Sequence, residues 1–296
     1  MLHNKLIVIL GPTASGKTDV SIRLAKKYKG EIVSADSRQV YKGLNIGSGK
    51  ITKKETKGIS HHLLDVANPK QRFTVSQYQK LTIKEIKKIQ KKGKIPFLVG
   101  GTGFYIQSVV DGIIIPEVKP NQKLRKQLSK KTTKEIFKIL KKLDPKRAKT
   151  IDANNPVRLI RAIEIIKSTK KPIQKITSNP EFEVLEIGIK KSPEELKKLI
   201  HKRLGKRLKQ GMIKEVINLH KNGLSFKRLE ELGLEYRYIA QYLQEKISYD
   251  DMISILEKEI WHYAKRQLTW FKKDRKIYWV NTYREILPII DKFINK

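Results

Sequence analysis

Eight consecutive residues, Gly11-Pro12-Thr13-Ala14-Ser15-Gly16-Lys17-Thr18, match the spacing G-x-x-x-x-G-K-[ST] at every fixed position. Glycines at those points let the backbone curl so that its N–H groups face one phosphate, and the start of a following helix adds its dipole. Lys17 supplies a point charge, and the Thr18 hydroxyl is placed to ligate Mg²⁺. The loop indicates a di- or triphosphate without saying which reaction follows. A P-loop hydrolase sets an acid at the end of a later apolar strand to help hold its metal. Here that strand ends in Gly100-Gly101-Thr102 instead. Asp36 is the strand-end carboxylate near the loop, better suited to accepting a proton than to hydrolytic metal chemistry, unless it serves as a turn or helix-capping residue.

Two arginines stand out by position. The helix that begins near 194 carries Leu196, Leu199, Ile200, Leu204 and Leu208 as its apolar stripe. Seven residues on from Leu196 and Ile200 lie Arg203 and Arg207, so both cations share the buried face. There they need an anionic ligand, a buried ion pair or a route to solvent. His61 and His62 are adjacent, which points them apart on a strand, and no ligand cluster accompanies them. A metal at that pair is not expected.

The elements that must position these groups alternate. Residues 5–10 form an apolar strand, the loop follows, and a helical pattern begins. A second strand, 31–35, ends at Asp36, and a helix near 75–91 leads to a third strand at 95–99. Such alternation indicates a parallel α/β sheet, which binds ligands at the carboxyl ends of its strands. The residues after all three strands should therefore meet at one edge. From 117 to 180 the character changes: no convincing strand, and 19 Lys and Arg against 5 acids. Asn155-Pro156 reads as a helix start there. A strand returns at 184–189, 193–273 is helical, and 277–280 is a last short strand. The expected architecture is a P-loop NTPase-like α/β parallel sheet flanked by helices. Its core would comprise 1–116 and 181–296, interrupted by a basic helical insertion at 117–180.

Composition narrows the classes. In 296 residues, 39% apolar and 32% charged content indicates a globular chain. The absence of cysteine excludes disulfides, thiolate metal sites and a cysteine nucleophile. No apolar run approaches a membrane span, and the first residues show no signal-peptide pattern, so a cytoplasmic protein with no membrane partner is expected. Lys and Arg total 65 against 29 acids, a formal charge of +36. Lysine-rich codon usage does not by itself explain so large an excess, and the field favours a polyanion, most plausibly nucleic acid.

Five blocks in this order resemble one family. They are the P-loop, Ile32 to Gly47 containing Ser34-Ala35-Asp36-Ser37-Arg38-Gln39, His61-His62-Leu63-Leu64-Asp65, Leu98 to Tyr105, and Tyr263 to Phe271. Together they resemble the tRNA dimethylallyltransferases, with Ser48-Gly49-Lys50 and Phe104 as small departures and no zinc finger. The resemblance implies transfer of the dimethylallyl group from dimethylallyl diphosphate to N6 of adenine 37 in the tRNA anticodon loop. It implies that Gly11 to Thr18 bind the diphosphate with Mg²⁺ on Thr18, that Asp36 is the base, and that Thr102 bonds the departing oxygen. Arg203 would contact the diphosphate. Asp36, Ser37, Arg38, Gln39 and Thr102 would meet the tRNA, as would Arg125 and Val157, Arg158, Leu159, Ile160 and Arg161 in the insertion. Lys265, Arg266 and Gln267 are expected to support the site, and a monomer is expected. The competing readings are a P-loop kinase of a small metabolite or nucleotide, an RNA-binding protein with a vestigial loop, and an isopentenyltransferase acting on free nucleotide.

Overall fold

The computed structural model describes residues 4–173 and 177–296. The first three residues, part of the signal-peptide reading, and 174–176 of the insertion lie outside the described residues.

The fully buried strand β1 (Lys5–Leu10) opens onto the loop and helix α1 (Lys17–Lys27). There follow β2 (Glu31–Ala35), a two-residue β3 (His61–His62), α2 (Val75–Lys91), β4 (Pro96–Gly100) and α3 (Gly103–Val110). Next come α4 (Gln122–Leu128), α5 (Thr133–Leu143), α6 (Pro145–Ala148) and α7 (Pro156–Thr169). The chain then forms β5 (Glu183–Ile189), α8 (Pro193–Lys209), α9 (Met212–Lys221), α10 (Phe226–Glu231) and α11 (Leu234–Leu243). Last are α12 (Tyr249–Phe271), β6 (Tyr278–Val280) and α13 (Tyr283–Ile294).

The six strands make one sheet in the order β3-β2-β4-β1-β5-β6, and every pairing is parallel. A parallel sheet is covered on both faces, which is why its central strands read as unbroken apolar runs. Leu6, Val8, Leu10, Val33 and Leu98 face one core, shared with Ile86 of α2, Ile106 of α3, Leu204 of α8 and Ile260 of α12. Ile7, Ile9, Ile32, Phe97 and Ile187 face the other, against Leu24 of α1 and Ile286 and Ile290 of α13.

Register fixes the site. Gly100 at the end of β4 pairs with Leu10 of β1 on one side and Ala35 of β2 on the other. The P-loop, Asp36 and Thr102 therefore leave the sheet side by side. The approach is close enough to need glycine: a Cβ on Gly100 would sit 2.2 Å from the Ala35 carbonyl oxygen.

The stretch expected to be helical from 193 to 273 is five helices, with breaks that include Gly211 (φ 93°) and Gly233 (φ 143°), conformations open to glycine at little cost. Contacts divide the chain into one unit of Met1–Gly112 with Pro180–Lys296 and a second of Ile113–Asn179. The second begins four residues before the sequence boundary of 117 because Ile113 bridges Ser178 antiparallel and the Ile114 N–H donates to the Thr177 carbonyl. It has its own core, with Leu128 of α4, Ile136 and Leu140 of α5, and Leu159, Ile163 and Ile166 of α7. Asn155 caps α7 by accepting the Arg158 N–H, and Pro156 takes the first helical position.

Candidate functional site

In the larger unit the ends of β1, β2 and β4 open into a cavity of about 890 Å³, lined by Lys17, Thr18, Asp36, Thr102, Arg203 and Tyr263 among others. The loop curls through left-handed conformations at Ala14 (φ 63°) and Gly16 (φ 83°). The N–H groups of the first turn of α1 have no residue before them to accept, so they remain donors for an anion. Gln267 of α12 braces the loop from behind: its Oε1 accepts the Thr13 N–H (2.8 Å) and its Nε2 donates to the Gly101 carbonyl (2.8 Å).

Two cations face this cavity without a counter-charge. Lys17 donates to the Pro12 carbonyl (3.0 Å), and Arg203 donates to the Thr13 hydroxyl. Among the described residues neither has a carboxylate within ion-pair distance. Burial and then the nearby Arg203 guanidinium lower the Lys17 ammonium to about 8, with Asp36 opposing. Burial and then Arg207 lower Arg203 to about 10, with Glu235 and Asp36 opposing. Arg207 is different. Its Nη1 donates to the Gly47 carbonyl (3.2 Å) and pairs with Glu235 (3.1 Å), so it is a buried strut for the 45–49 loop. The two arginines of the apolar stripe therefore divide, one toward the loop and one into the scaffold.

Asp36 Oδ1 accepts the N–H groups of Arg38 (2.8 Å) and Gln39 (3.3 Å), so the carboxylate is also the turn residue that the sequence left as an alternative. The turn fixes its orientation while Asp36 still lines the cavity. Thr102 Oγ1 accepts the Ser37 N–H (3.1 Å), and the Thr102 N–H donates to the Ala35 carbonyl (3.2 Å), which ties the ends of β2 and β4 together. Tyr263 lines the cavity with Thr102, and its phenol is pushed up to about 12, chiefly by burial and then by the Asp36 charge. Ser37 and Arg38 line the cavity too. The Gln39 amide is spent internally, accepting from Ser34 Oγ (3.1 Å) and donating to the Gly49 carbonyl (3.2 Å).

The donor set fits a magnesium ion brought in with phosphate. Mg²⁺ keeps several waters and takes one or two protein oxygens beside the phosphate oxygens. Thr18 offers such an oxygen at the helix start, and among the described residues no three His, Cys, Asp or Glu side chains converge to hold a metal unaided. His61 and His62 are engaged otherwise: His61 Nδ1 meets the Ile59 carbonyl (2.8 Å) and His62 Nε2 meets Glu31 (2.7 Å).

The insertion candidates fall into different roles. Glu164 of α7 has a side chain only 1% exposed and binds Arg125 and Arg161 at once. Arg125 reaches it through Nε (2.8 Å) and Nη2 (2.7 Å), Arg161 through Nη1 (2.5 Å), and the Asn121 N–H adds a third approach (2.6 Å). Burial pushes the carboxyl up, but these donors outweigh it and hold Glu164 at about 2. Arg161 also donates to the Val118 carbonyl (3.0 Å). Leu159 is fully buried, so its side chain packs the insertion core. Ile160 is half-buried, Val157 is 76% exposed, and Arg158 is exposed with no ion pair among the described residues. In the larger unit Arg266 lines the cavity, whereas Lys265 is exposed over the Trp261 ring.

Residues 39–274 match the family described as IPP transferase. The chain is 39% identical to the tRNA dimethylallyltransferase of Acetivibrio thermocellus, with 94% of this chain and 92% of that protein covered. It is 42% identical to tRNA dimethylallyltransferase 1 of Syntrophus aciditrophicus, covering 92% and 90%. The chain belongs to this family. A solved tRNA Δ2-isopentenylpyrophosphate transferase from Staphylococcus epidermidis superposes with a TM-score of 0.72 at 36% identity, covering 99% of each chain. A eukaryotic dimethylallyltransferase, described as acting on tRNA, superposes with a TM-score of 0.85 at 27% identity, covering 99% of this chain and 80% of that one. These relatives favour the transferase over the kinase reading.

Seen as a member of the IPP transferase family, the chain has site residues that the sequence reading did not assign. Tyr263 is one: Ile260, Tyr263 and Gln267 share a helical face that the sequence already shows. Glu215 was also missed. Its carboxylate accepts the N–H groups of Asn45 (3.0 Å), Ile46 (2.6 Å) and Gly47 (3.0 Å), with Tyr236 donating to it (2.9 Å), and so holds the cavity wall at 45–49. No local signal marked it, because three of its four partners are backbone groups 168 to 170 residues away.

Proposed function

We propose that this protein transfers the dimethylallyl group of dimethylallyl diphosphate to N6 of adenine 37 in the anticodon loop of tRNA, releasing diphosphate. The observation that carries the reading is the pair of half-buried cations, Lys17 and Arg203, beside a phosphate loop with no carboxylate within ion-pair distance of them among the described residues. An anion is required there, and the loop's donors recognise phosphate rather than any base. When the allylic C–O bond breaks, negative charge grows on the diphosphate, where the loop N–H groups, Lys17 and Arg203 already point. Mg²⁺ held through the Thr18 hydroxyl would add Lewis-acid stabilisation of that charge.

The nucleophile is a neutral aromatic amine, far too weak an acid for a carboxylate to ionise beforehand. Asp36 accepts its proton as the C–N bond forms, a contribution of about 10²–10⁴-fold. Its turn hydrogen bonds hold the carboxylate in place for this. Thr102, at the end of the adjacent strand, is placed to bond the oxygen that leaves. The basic insertion carries the RNA contacts, with Arg158 and Val157 as its exposed elements. The protein is read as a monomer working in the cytoplasm, where the tRNA is. Mass spectrometry of nucleosides from tRNA incubated with enzyme, Mg²⁺ and dimethylallyl diphosphate should show N6-dimethylallyladenosine with no ATP present. Turnover that consumes ATP stoichiometrically would overturn the assignment of the loop.

A further inference from the structure

Behind the cavity wall at 45–49 stands a carboxylate that does not itself line the cavity. Glu215, half-buried on α9, accepts the N–H groups of Asn45, Ile46 and Gly47. The buried Tyr236 hydroxyl of α11 donates to Glu215 and accepts the next N–H, that of Ser48 (3.1 Å). One charge and one hydroxyl thus gather four successive backbone donors. Consecutive N–H groups of a turn form a cradle for an anion, and hydrogen bonds to a charged acceptor are the stronger kind. Here the anion belongs to the fold, so the cradle works as a clamp rather than as a ligand site. The carbonyls of the same segment are engaged as well. That of Asn45 accepts the Lys50 N–H (2.9 Å), that of Ile46 the Gly49 N–H (3.0 Å), and that of Gly47 the Arg207 guanidinium of α8. Three helices therefore fix the wall from behind.

What the wall holds in turn is Gln39. The Gly49 carbonyl accepts from Gln39 Nε2, while Ser34 Oγ of β2 donates to Gln39 Oε1. The side chain is pinned at both ends, between strand and wall. Its backbone N–H is one of the two that orient Asp36 Oδ1. A continuous path of hydrogen bonds and short backbone links therefore leads from Glu215 through the wall and Gln39 to Asp36. We propose that Glu215 is a positioning residue for Asp36, setting the carboxylate's place through the 45–49 wall and the Gln39 side chain. The inference rests on the reading of Asp36 as the proton acceptor. An acceptor serves only within hydrogen-bond reach of the amine, and a displacement of about 1 Å costs as much as ~10²-fold in rate. The effect also has a ceiling, because loosening Asp36 cannot cost more than removing its basicity.

The test measures single-turnover rates of the full chain, at saturating tRNA and dimethylallyl diphosphate, in two backgrounds. Glu215→Gln keeps the side chain's shape and removes its charge, and it should slow the chemical step by about 10-fold where Asp36 is present. Added to Asp36→Asn, it should slow the step by less than about twofold more, because no base is left to position. Binding of inorganic pyrophosphate and of tRNA should stay within about twofold of wild type, so that the loss falls on the rate and not on affinity. The phosphate loop is braced separately, by Gln267. Tyr236→Phe removes only the bridging hydroxyl and should cost about threefold with the same dependence on Asp36, which keeps the test decisive if Glu215→Gln folds poorly. Losses of equal size in both backgrounds, or a fall in pyrophosphate binding large enough to account for the rate, would overturn the positioning role alone. An Asp36→Asn rate within about threefold of wild type would overturn the base assignment and the positioning role with it.

Discussion

The cavity of the larger unit and the insertion both collect arginines, and they treat them in opposite ways. In the cavity, half-buried Arg203 and Lys17 have no carboxylate within ion-pair distance among the described residues, and both are pulled down in pKa, to about 10 and about 8. In the insertion, Arg125 and Arg161 converge on a single buried carboxylate that they hold at about 2. An unpaired buried cation stores a demand for an anionic ligand, whereas a paired one has met that demand within the fold. Charge alone therefore does not mark a binding residue; what matters is whether the fold has already supplied the counter-charge. By that criterion Arg203 belongs to ligand chemistry, while Arg125 and Arg161 first of all join α4 and the 118–121 segment to α7. Arg158, exposed and unpaired among the described residues, is an insertion arginine free to meet a phosphate.

The contrast can be broken in several places. Lys17→Ala should reduce product formation by ~10³-fold or more, since it removes the charge facing the growing diphosphate anion; activity within tenfold of wild type would refute the demand for an anion. Asp36→Asn should leave tRNA affinity within a few-fold and slow the single-turnover chemical step by ~10²-fold. A chemical rate within threefold of wild type would remove Asp36 from the base role. Glu164→Ala should cost about 3 kcal/mol in the stability of the insertion, because two arginines lose their shared partner. Hydrogen exchange on α4 and α7 of the full chain reports it, and unchanged protection would show that the triad holds nothing together.

The same contrast has a pH signature. Lys17 is protonated below about 8 in the free protein and loses its charge above it. Inorganic pyrophosphate should therefore bind more weakly as pH rises, by roughly eightfold between pH 7.5 and 9, as the protonated fraction falls. Lys17→Arg should flatten that profile, and a flat profile in wild type would contradict the lowered pKa. The Glu164 triad, by contrast, has a depressed carboxyl: its contribution to stability is full above the ordinary carboxylate range and is lost only as pH falls toward about 2. The smallest effect is expected at Arg158. Arg158→Ala should weaken tRNA binding by ~1 kcal/mol and lower the salt slope by close to one ion, without altering stability. Arg161→Ala should act mainly through stability. Identical behaviour of the two would erase the distinction between free and paired arginines.

Several features could be read without coordinates because they are local. The phosphate loop, the alternation of strand and helix, the Asn155-Pro156 helix start and the apolar stripe of α8 depend on residues within a turn or two of one another. The parallel sheet followed from these, and with it the meeting of the loop, Asp36 and Thr102 at one edge. What the sequence left undecided was partnership across distance. The fates of Arg203 and Arg207 depend on Thr13 on one side and Gly47 and Glu235 on the other, which no spacing on α8 reveals. That Arg125 and Arg161 share Glu164, and that Leu159 is fully buried, likewise depends on how the insertion packs. Helical periodicity specifies which residues share a face, but whether a charge on that face has been neutralised depends on which other segments pack against it. For this protein the sequence determined the chemistry that can occur at the sheet edge. The tertiary structure decided which cations remain free for it, because a buried charge is settled by its nearest counter-charge and that neighbour comes from elsewhere in the chain.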